Sequence, residues 1–284
     1  MQSPHRHRRA AVLTLGLFAA CSTPSRSLPL PRPGPLPGVD GRVLTTLDLL
    51  AAGEEATRRF VEQLDPTTRD RLAASRARAE GATVRVAVRH GFHGLGSYGQ
   101  NAGSGVLVTA RDGSPLVLSA AHTFATTADD RVTHLATPAG DRVAATMTEC
   151  VYEDGLDYAV LRPTEPVDAC VPVRASALAA GELVLALGYP DVCGMLPDGR
   201  IARSDHQMAE PLAPLSLLLR VVDGDPLQLL PVAGALPLDG FSGGGLFDLD
   251  GRAIGVLTGV EWSPGADALE VAIKACGVLA MQLP

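Results

Sequence analysis

The chain has 284 residues, a formal net charge of −7 and 46% hydrophobic residues, and only 4% of its residues are aromatic. An acidic composition disfavours nucleic-acid binding, because phosphate recognition needs a basic surface. Once the N-terminal segments are set aside, roughly 240 residues remain, enough for one all-β domain with a core of Val, Leu and Ala. The Cys and His spacings are not those of a metal site, so we expect neither metal nor cofactor.

The first 21 residues have the organisation of an export signal. A basic stretch from His5 to Arg9 precedes an apolar run from Ala10 to Phe18, which is too short to span a bilayer. Residues 17–21 are similar to the lipobox of bacterial lipoproteins, with Phe18 where leucine is usual. We therefore expect a signal peptide over residues 1–20, lipidation of Cys21 and membrane anchoring on the periplasmic or extracellular face of the cell envelope. Secretion as a soluble protein is the alternative.

A proline-rich linker and a helical segment follow. Residues 22–38 contain six prolines, so the pattern predicts an extended linker over residues 21–42. Residues 43–81 have helix signals: Thr46 can cap a helix from about Leu47 to Leu64, and Asp65 with Pro66 can start a second one that ends near Gly81. We expect this extension to be an accessory element, with a regulatory or pro-segment role as the alternative.

From Thr83 onward the periodicity is that of strands. Val84, Val86 and Val88 alternate with less apolar residues, and Asp112-Gly113 predicts a hairpin turn. Short apolar runs recur at residues 106–108, 116–118, 143–147, 159–161, 183–187, 217–222 and 253–257. Many short strands separated by turns predict a mainly all-β fold built from antiparallel barrels.

Three short motifs carry the candidate chemistry. Ser242 lies between glycines, where a tight loop can direct a hydroxyl outward and leave main-chain amides free to bind an anion. A serine needs a base, and the base needs an orienting acid. His122 at the end of one apolar run and Asp157 at the start of another supply these groups. Lys274, the only lysine, lies in the C-terminal segment, which disfavours a Ser-Lys dyad.

The motifs Ser119-Ala120-Ala121-His122, Asp157-Tyr158-Ala159-Val160-Leu161 and Gly240-Phe241-Ser242-Gly243-Gly244 resemble, in order and spacing, those of the trypsin-like (chymotrypsin-fold) serine peptidases. Within that family they are most similar to the bacterial HtrA/Deg-type protease domain. The resemblance implies two six-stranded antiparallel β-barrels over residues 82–284, with the site between them. It also implies a His122, Asp157, Ser242 triad and an oxyanion hole formed by the amides of Gly240 and Ser242.

Other positions differ from the family pattern or relate to specificity. Phe241 stands where digestive peptidases carry an acid that pairs with a new N-terminus, so that mode of activation is not expected. Gly245 replaces the usual proline and predicts extra backbone freedom near the site. By resemblance, Leu236 is expected at the floor of the specificity pocket. Residues Thr258, Gly259 and Val260 are expected to pair with the substrate backbone, and an apolar or small residue is expected before the cut.

Apart from Cys21 there are four cysteines, an even number that suits an oxidising envelope. We expect a bridge between Cys150 and Cys170 and a second between Cys193 and Cys276. Other connectivities and buried thiols are alternatives.

Together these features predict an envelope serine endopeptidase, which cleaves protein or peptide substrates through an acyl-enzyme intermediate. The alternative is a catalytically weak, protease-like binding or sensor lipoprotein. With Pro284 as the last residue, no PDZ domain is expected.

Overall fold

The computed structural model describes residues 55, 57–92, 97–124, 130–153, 155–189, 193–195, 201–203, 214–224, 227–232, 240–264, 269–281 and 283. The expected signal peptide, the proline-rich linker, Cys21 and Leu236 lie outside the described residues. Among the described residues, no helix combines the length and apolar character needed to cross a membrane.

The first barrel contains the N-terminal strands. It is closed and antiparallel, in the order β1-β2-β3-β6-β5-β4. Its strands are β1 (Thr83–Phe92), β2 (Ser97–Thr109), β3 (Pro115–Ser119), β4 (Asp130–Ala136), β5 (Arg142–Glu153) and β6 (Leu156–Pro163). Val84, Val86 and Val88 are fully buried in β1, as their alternation predicts. The expected turn joins β2 to β3, where Gly113 has φ +83° and the Ser114 amide donates to Asp112 Oδ1 over 2.8 Å.

The second barrel is also closed, in the order β10-β11-β14-β13-β12-β7. Its strands are β7 (Leu183–Gly188), β10 (Leu215–Gly224), β11 (Leu227–Pro231), β12 (Gly245–Phe247), β13 (Ala253–Pro264) and β14 (Leu269–Gly277). A two-stranded sheet of β8 (Cys193–Met195) and β9 (Ile201–Arg203) is separate from both barrels. The expected mainly all-β fold of two six-stranded antiparallel barrels is therefore confirmed.

The segment between the two barrels connects their sheets. Val171 forms a bridge to Val108 of β2, and Val173 forms one to Ala253 of β13. The Thr109 amide donates to the Val171 carbonyl over 3.0 Å, and the Arg174 amide donates to the Ala253 carbonyl over 2.9 Å. The connection therefore adds main-chain hydrogen bonds first to one barrel and then to the other.

A helix precedes the barrels. Residues 57–62 are helical, and α1 (Pro66–Ala82) follows. The Asp65 side chain caps α1 by accepting from the Thr68 amide over 3.0 Å, which confirms the predicted cap and first-position proline. Buried Ser75 donates its hydroxyl to the Asp248 carbonyl over 2.7 Å. Helix α1 is thus attached to the turn between β12 and β13.

The expected disulfide bridges are wrong. Cys150, Cys170 and Cys276 are thiols in the structure, so neither expected pair forms. Cys150 lies on β5, and Cys170 precedes Val171, which pairs with β2. Two strands separate β5 from β2 in either direction around the barrel. Adjacent strands are about 4.8 Å apart, whereas the Cα atoms of a disulfide must approach within about 7 Å.

Cys276 is buried on β14 opposite Val256, and this burial raises the pKa of its thiol. The side chain of Cys193 lies outside the described residues.

Candidate active site

His122 and Asp157 are brought together by two neighbouring strands of the first barrel. His122 lies in a short 3-10 helix, Ala121–Phe124, directly after β3, and Asp157 is the second residue of β6. Strands β3 and β6 pair, with Ser119 opposite Ala159. The sequence positions 35 residues apart therefore meet at the same end of the barrel.

Two hydrogen bonds, one from the main chain and one at the imidazole, hold His122 against the Asp157 carboxylate. His122 Nδ1 lies 2.6 Å from Asp157 Oδ2, and the His122 main-chain amide donates to Asp157 Oδ1 over 3.0 Å. Because Nδ1 is occupied by the carboxylate, Nε2 is the ring nitrogen that remains for proton transfer. The His122 side chain is 33% exposed and that of Asp157 is 16% exposed, so the ring reaches solvent while the acid is mostly covered.

Ser242 lies in a tight loop immediately before β12. The Gly244 amide donates to the Phe241 carbonyl over 2.7 Å, and the Gly243 amide donates to the Leu257 carbonyl over 2.7 Å. Gly240 has φ +91° and Gly243 has φ +82°, values that side-chain-bearing residues rarely adopt. Phe241 is buried in the core of the second barrel, while Ser242 is partly exposed. The loop thus directs the phenyl ring inward and keeps the serine at the surface.

The same loop rests on the first barrel. The Ser104 amide of β2 donates to the Ser242 carbonyl over 2.8 Å, and Ser104 Oγ donates to the Gly240 carbonyl over 2.7 Å. A Cβ on Gly103 would lie 2.9 Å from the Ser242 carbonyl oxygen and also 2.9 Å from Oγ1 of Thr123, the residue after His122. The main chain of Ser242 and the segment that carries His122 therefore border the same glycine.

The amides expected to form an oxyanion hole are those of Gly240 and Ser242. Neither donates a hydrogen bond to another described residue. Within the described part of the chain both amides are therefore left without an acceptor, as an anion-binding pair requires.

Gly245, where extra backbone freedom is expected, is the first residue of β12. It pairs with Leu187 and Val256 in β12. A Cβ there would approach the Phe247 ring to 2.7 Å, so a side chain at this position would force the ring to move. The resting loop is therefore followed by a well-packed strand.

The residues expected to contact substrate lie on β13, apart from Leu236. Leu257 exchanges main-chain hydrogen bonds with Gly243 and Gly244, and a bulge then follows at Thr258. From Thr258 onward, this edge of β13 has no partner among the described residues, while the other edge continues along β14. Gly259 has open space where a Cβ would be.

Ser104 contacts the loop of residues 240–244 that carries Ser242, and Tyr189 contacts Ser104. Neither residue was singled out from the sequence. The signal for Ser104 was its place between Gly103 and Gly105, because glycines inside a strand often mark close approach of another backbone. Tyr189, directly after β7, donates its amide to Ser104 Oγ over 2.8 Å, and burial raises the pKa of its phenol to about 12.

Comparison with protein-family models gives a match to the trypsin-like peptidase domain over residues 103–256. The chain belongs to this family. The matched region includes His122, Asp157 and Ser242, and the two barrels fit a chymotrypsin fold. A trypsin-like peptidase is a protease hydrolase, and the family supports a function of the serine protease kind. Comparison with individual curated proteins gave no match. Among the described residues, no group of three or more His, Cys, Asp or Glu could hold a metal ion.

Proposed function

We propose that this trypsin-like peptidase is a serine endopeptidase that uses Ser242 as nucleophile, His122 as general base and Asp157 as the orienting acid. The observation that carries the proposal is the 2.6 Å contact between His122 Nδ1 and Asp157 Oδ2 beside a serine loop that rests on the same barrel. Asp157 holds the imidazole in the tautomer whose Nε2 can accept the serine proton, and it stabilises the imidazolium that forms.

The reaction proceeds through an acyl-enzyme. Ser242 Oγ attacks the peptide carbonyl while its proton passes to His122 Nε2, and His122 then returns the proton to the leaving amine. Water, activated by the same histidine, releases the acyl group. The amides of Gly240 and Ser242 stabilise the oxyanion, a contribution of about 3–4 kcal/mol for a single donor in comparable sites.

Substrate binds as an extended strand along β13. The edge from Thr258 to Val260 can pair with a peptide main chain, because the described residues leave it without a partner beyond Leu257. The partly exposed Thr258 and Gly259 place little bulk in the way. An apolar or small residue before the cut, next to Leu236, remains part of this proposal.

The proposal places the enzyme at the bacterial cell envelope, related to the HtrA/Deg-type protease domain and attached through a lipid on Cys21. Its support is the basic and apolar organisation of residues 5–21. A lipid-anchored peptidase on a proline-rich tether would act on protein or peptide substrates near the membrane surface.

A fluorophosphonate probe tests the catalytic assignment, because it reacts with activated serines. We expect labelling of the wild-type protein at Ser242 and loss of labelling in Ser242→Ala, together with loss of cleavage of a denatured protein mixture. Ser216→Ala, on strand β10 of the second barrel, is a matched serine control that should be labelled normally. A folded wild-type protein that is not labelled would instead favour the protease-like binding or sensor protein.

A further inference from the structure

We propose that Ser104 is a positioning residue for the loop of residues 240–244 that carries Ser242, called the nucleophile loop below. Its hydroxyl, which belongs to the first barrel, orients the two main-chain amides that bind the oxyanion in the second barrel. The proposal rests on the serine endopeptidase function given above and adds a residue outside the three catalytic side chains.

Ser104 is fully buried and uses every polar atom it has. Its amide donates to the Ser242 carbonyl over 2.8 Å, and its hydroxyl donates to the Gly240 carbonyl over 2.7 Å. The same hydroxyl accepts from the Tyr189 amide over 2.8 Å, and the Ser104 carbonyl accepts from Ser119 Oγ over 2.8 Å. Ser104 is therefore a junction between the loop, β3 and the segment after β7.

The direction of the hydroxyl proton follows from its two partners. The Tyr189 amide can only donate, and the Gly240 carbonyl can only accept. The Ser104 hydroxyl must therefore donate to Gly240 and accept from Tyr189. An alanine at this position would leave a partly buried carbonyl and a buried amide without this partner, whereas serine satisfies both.

These bonds act on the peptide units on either side of the one that carries the Ser242 amide. The proposed donors are the amides of Gly240 and Ser242, and their relative orientation depends on the dihedral angles of Gly240 and Phe241. Ser104 fixes the carbonyls of Gly240 and Ser242, on either side of Phe241. The Phe241 ring is held in the core of the second barrel. Gly240, with φ +91° and no side chain, has no such anchor of its own.

The expected kinetic effect is on the chemical step. Loss of a complete oxyanion donor lowers kcat by about 10²–10³-fold in comparable enzymes. Loosening the loop should cost less, about 10–100-fold. KM should change little, because the substrate main chain binds along β13, which Ser104 does not contact in the described hydrogen bonds.

The test compares Ser104→Ala with Ser75→Ala. Both replace a fully buried serine whose hydroxyl donates to a main-chain carbonyl over 2.7 Å, but Ser75 bonds to Asp248, at the far end of the β12–β13 hairpin. We expect the melting temperature to fall in both variants, and to fall further in Ser104→Ala, because that change also leaves the Tyr189 amide without its acceptor. We expect a lower kcat, slower fluorophosphonate labelling and weaker inhibition by a peptide boronate only in Ser104→Ala.

A folded Ser104→Ala protein with wild-type kcat and boronate affinity would overturn the inference. If Ser104→Ala does not fold, Ser104→Cys takes its place, since a thiol keeps a donor at this position but is a weaker one. It should show reduced kcat at unchanged KM, and wild-type kcat would again overturn the inference. Failure of the endopeptidase proposal itself is distinguishable, because the wild-type protein would then neither label nor cleave, and both proposals would be lost.

Discussion

In the first barrel, His122 and Asp157 hold each other in place by direct hydrogen bonds. In the second barrel, Ser242 is held through its main chain by residues that are remote in sequence. His122 and Asp157 share two hydrogen bonds, one at the imidazole Nδ1 and one donated by the His122 main-chain amide. The serine loop depends instead on glycines that permit close approach and on carbonyl contacts from Ser104.

The difference predicts two kinds of sensitivity. A change at Asp157 should alter the chemistry of the imidazole and leave the fold intact. A side chain added at a glycine of the nucleophile loop should displace backbone in both barrels. The atoms nearest to these glycines include main-chain atoms, which cannot move aside as the end of a side chain can.

The largest effect is expected from Gly243→Ala. A Cβ there would lie 2.2 Å from the Ser104 carbonyl oxygen and 2.3 Å from Ser119 Oγ, and the φ of +82° is itself unfavourable for alanine. Main chain would have to shift, so we expect a loss of about 2–5 kcal/mol in unfolding free energy and no fluorophosphonate labelling. Urea unfolding and labelling below the transition measure the two effects.

Gly113→Ala is the matched control for this variant. Gly113 has a nearly identical φ of +83°, but nothing lies within 4 Å of its Cβ position. Only the conformational cost, about 1–2 kcal/mol, should appear, with normal labelling. If the two variants lose equal stability and are labelled equally, close packing is not the reason for glycine at position 243.

The second prediction concerns the other half of the site. Asp157→Asn should keep the fold, because an amide oxygen can still accept from the His122 main-chain amide. It should lower kcat by about 10³–10⁴-fold, since the amide no longer holds the imidazole in the productive tautomer. Steady-state cleavage and a thermal melt test this pair of outcomes. Asp141→Asn, an exposed acid in the turn before β5, should be neutral in both, and equal activity of the two variants would remove Asp157 from the mechanism.

The same contrast explains what the sequence could predict. The motifs around His122 and Asp157 are short, and their side chains contact each other directly, so residue identity and order were enough to propose the pair. The supports of Ser242 come from β2, β3 and the end of β7, and pairing between those segments cannot be derived from local spacing. Ser104 was therefore missed although its flanking glycines were visible.

The strands show a similar division. The alternating valines of β1 and the Asp112-Gly113 turn were predicted correctly. Each signal lies within a few consecutive residues, the first in a single strand and the second in the turn from β2 to β3. Strands β4, β11 and β14 were not predicted from their own residues, and the count of six strands in each barrel came from the family resemblance. The cysteine pairs were predicted wrongly because sequence spacing does not contain the strand order that separates β5 from β2.

The smallest effect is expected at the far end of the hairpin that carries Ser242. Arg174 donates two hydrogen bonds to Glu182, of 2.6 and 3.1 Å, and its guanidinium lies 3.7 Å from Asp248 at the start of the β12–β13 turn. The hydrogen bonds from Arg174 hold the pKa of the Glu182 carboxyl below its usual range. This network should support stability and have no part in positioning Ser242. The loop of residues 240–244 is held instead by hydrogen bonds from Ser104 and by the bond from the Gly243 amide to Leu257.

Glu182→Gln tests whether this network affects stability alone, through the pH dependence of the unfolding free energy. A carboxyl whose folded pKa is lowered stabilises the fold above its unfolded pKa of about 4.3, and the benefit disappears as pH falls through the lower folded value. The Glu182 side chain is 32% exposed, so screening limits the difference at pH 7 to about 1 kcal/mol.

Urea unfolding at pH 7, 5, 4 and 3 should show a gap between wild type and Glu182→Gln that is kept at pH 5 and closes below it, while kcat at pH 7 stays unchanged. Glu80→Gln, which breaks an exposed pair with Arg76 on α1, should give no measurable gap at any of these pH values. A fall in kcat in Glu182→Gln would mean that the far end of the hairpin also positions Ser242. The support of Ser242 would then include the β12–β13 hairpin as well as Ser104 and the glycines of the loop.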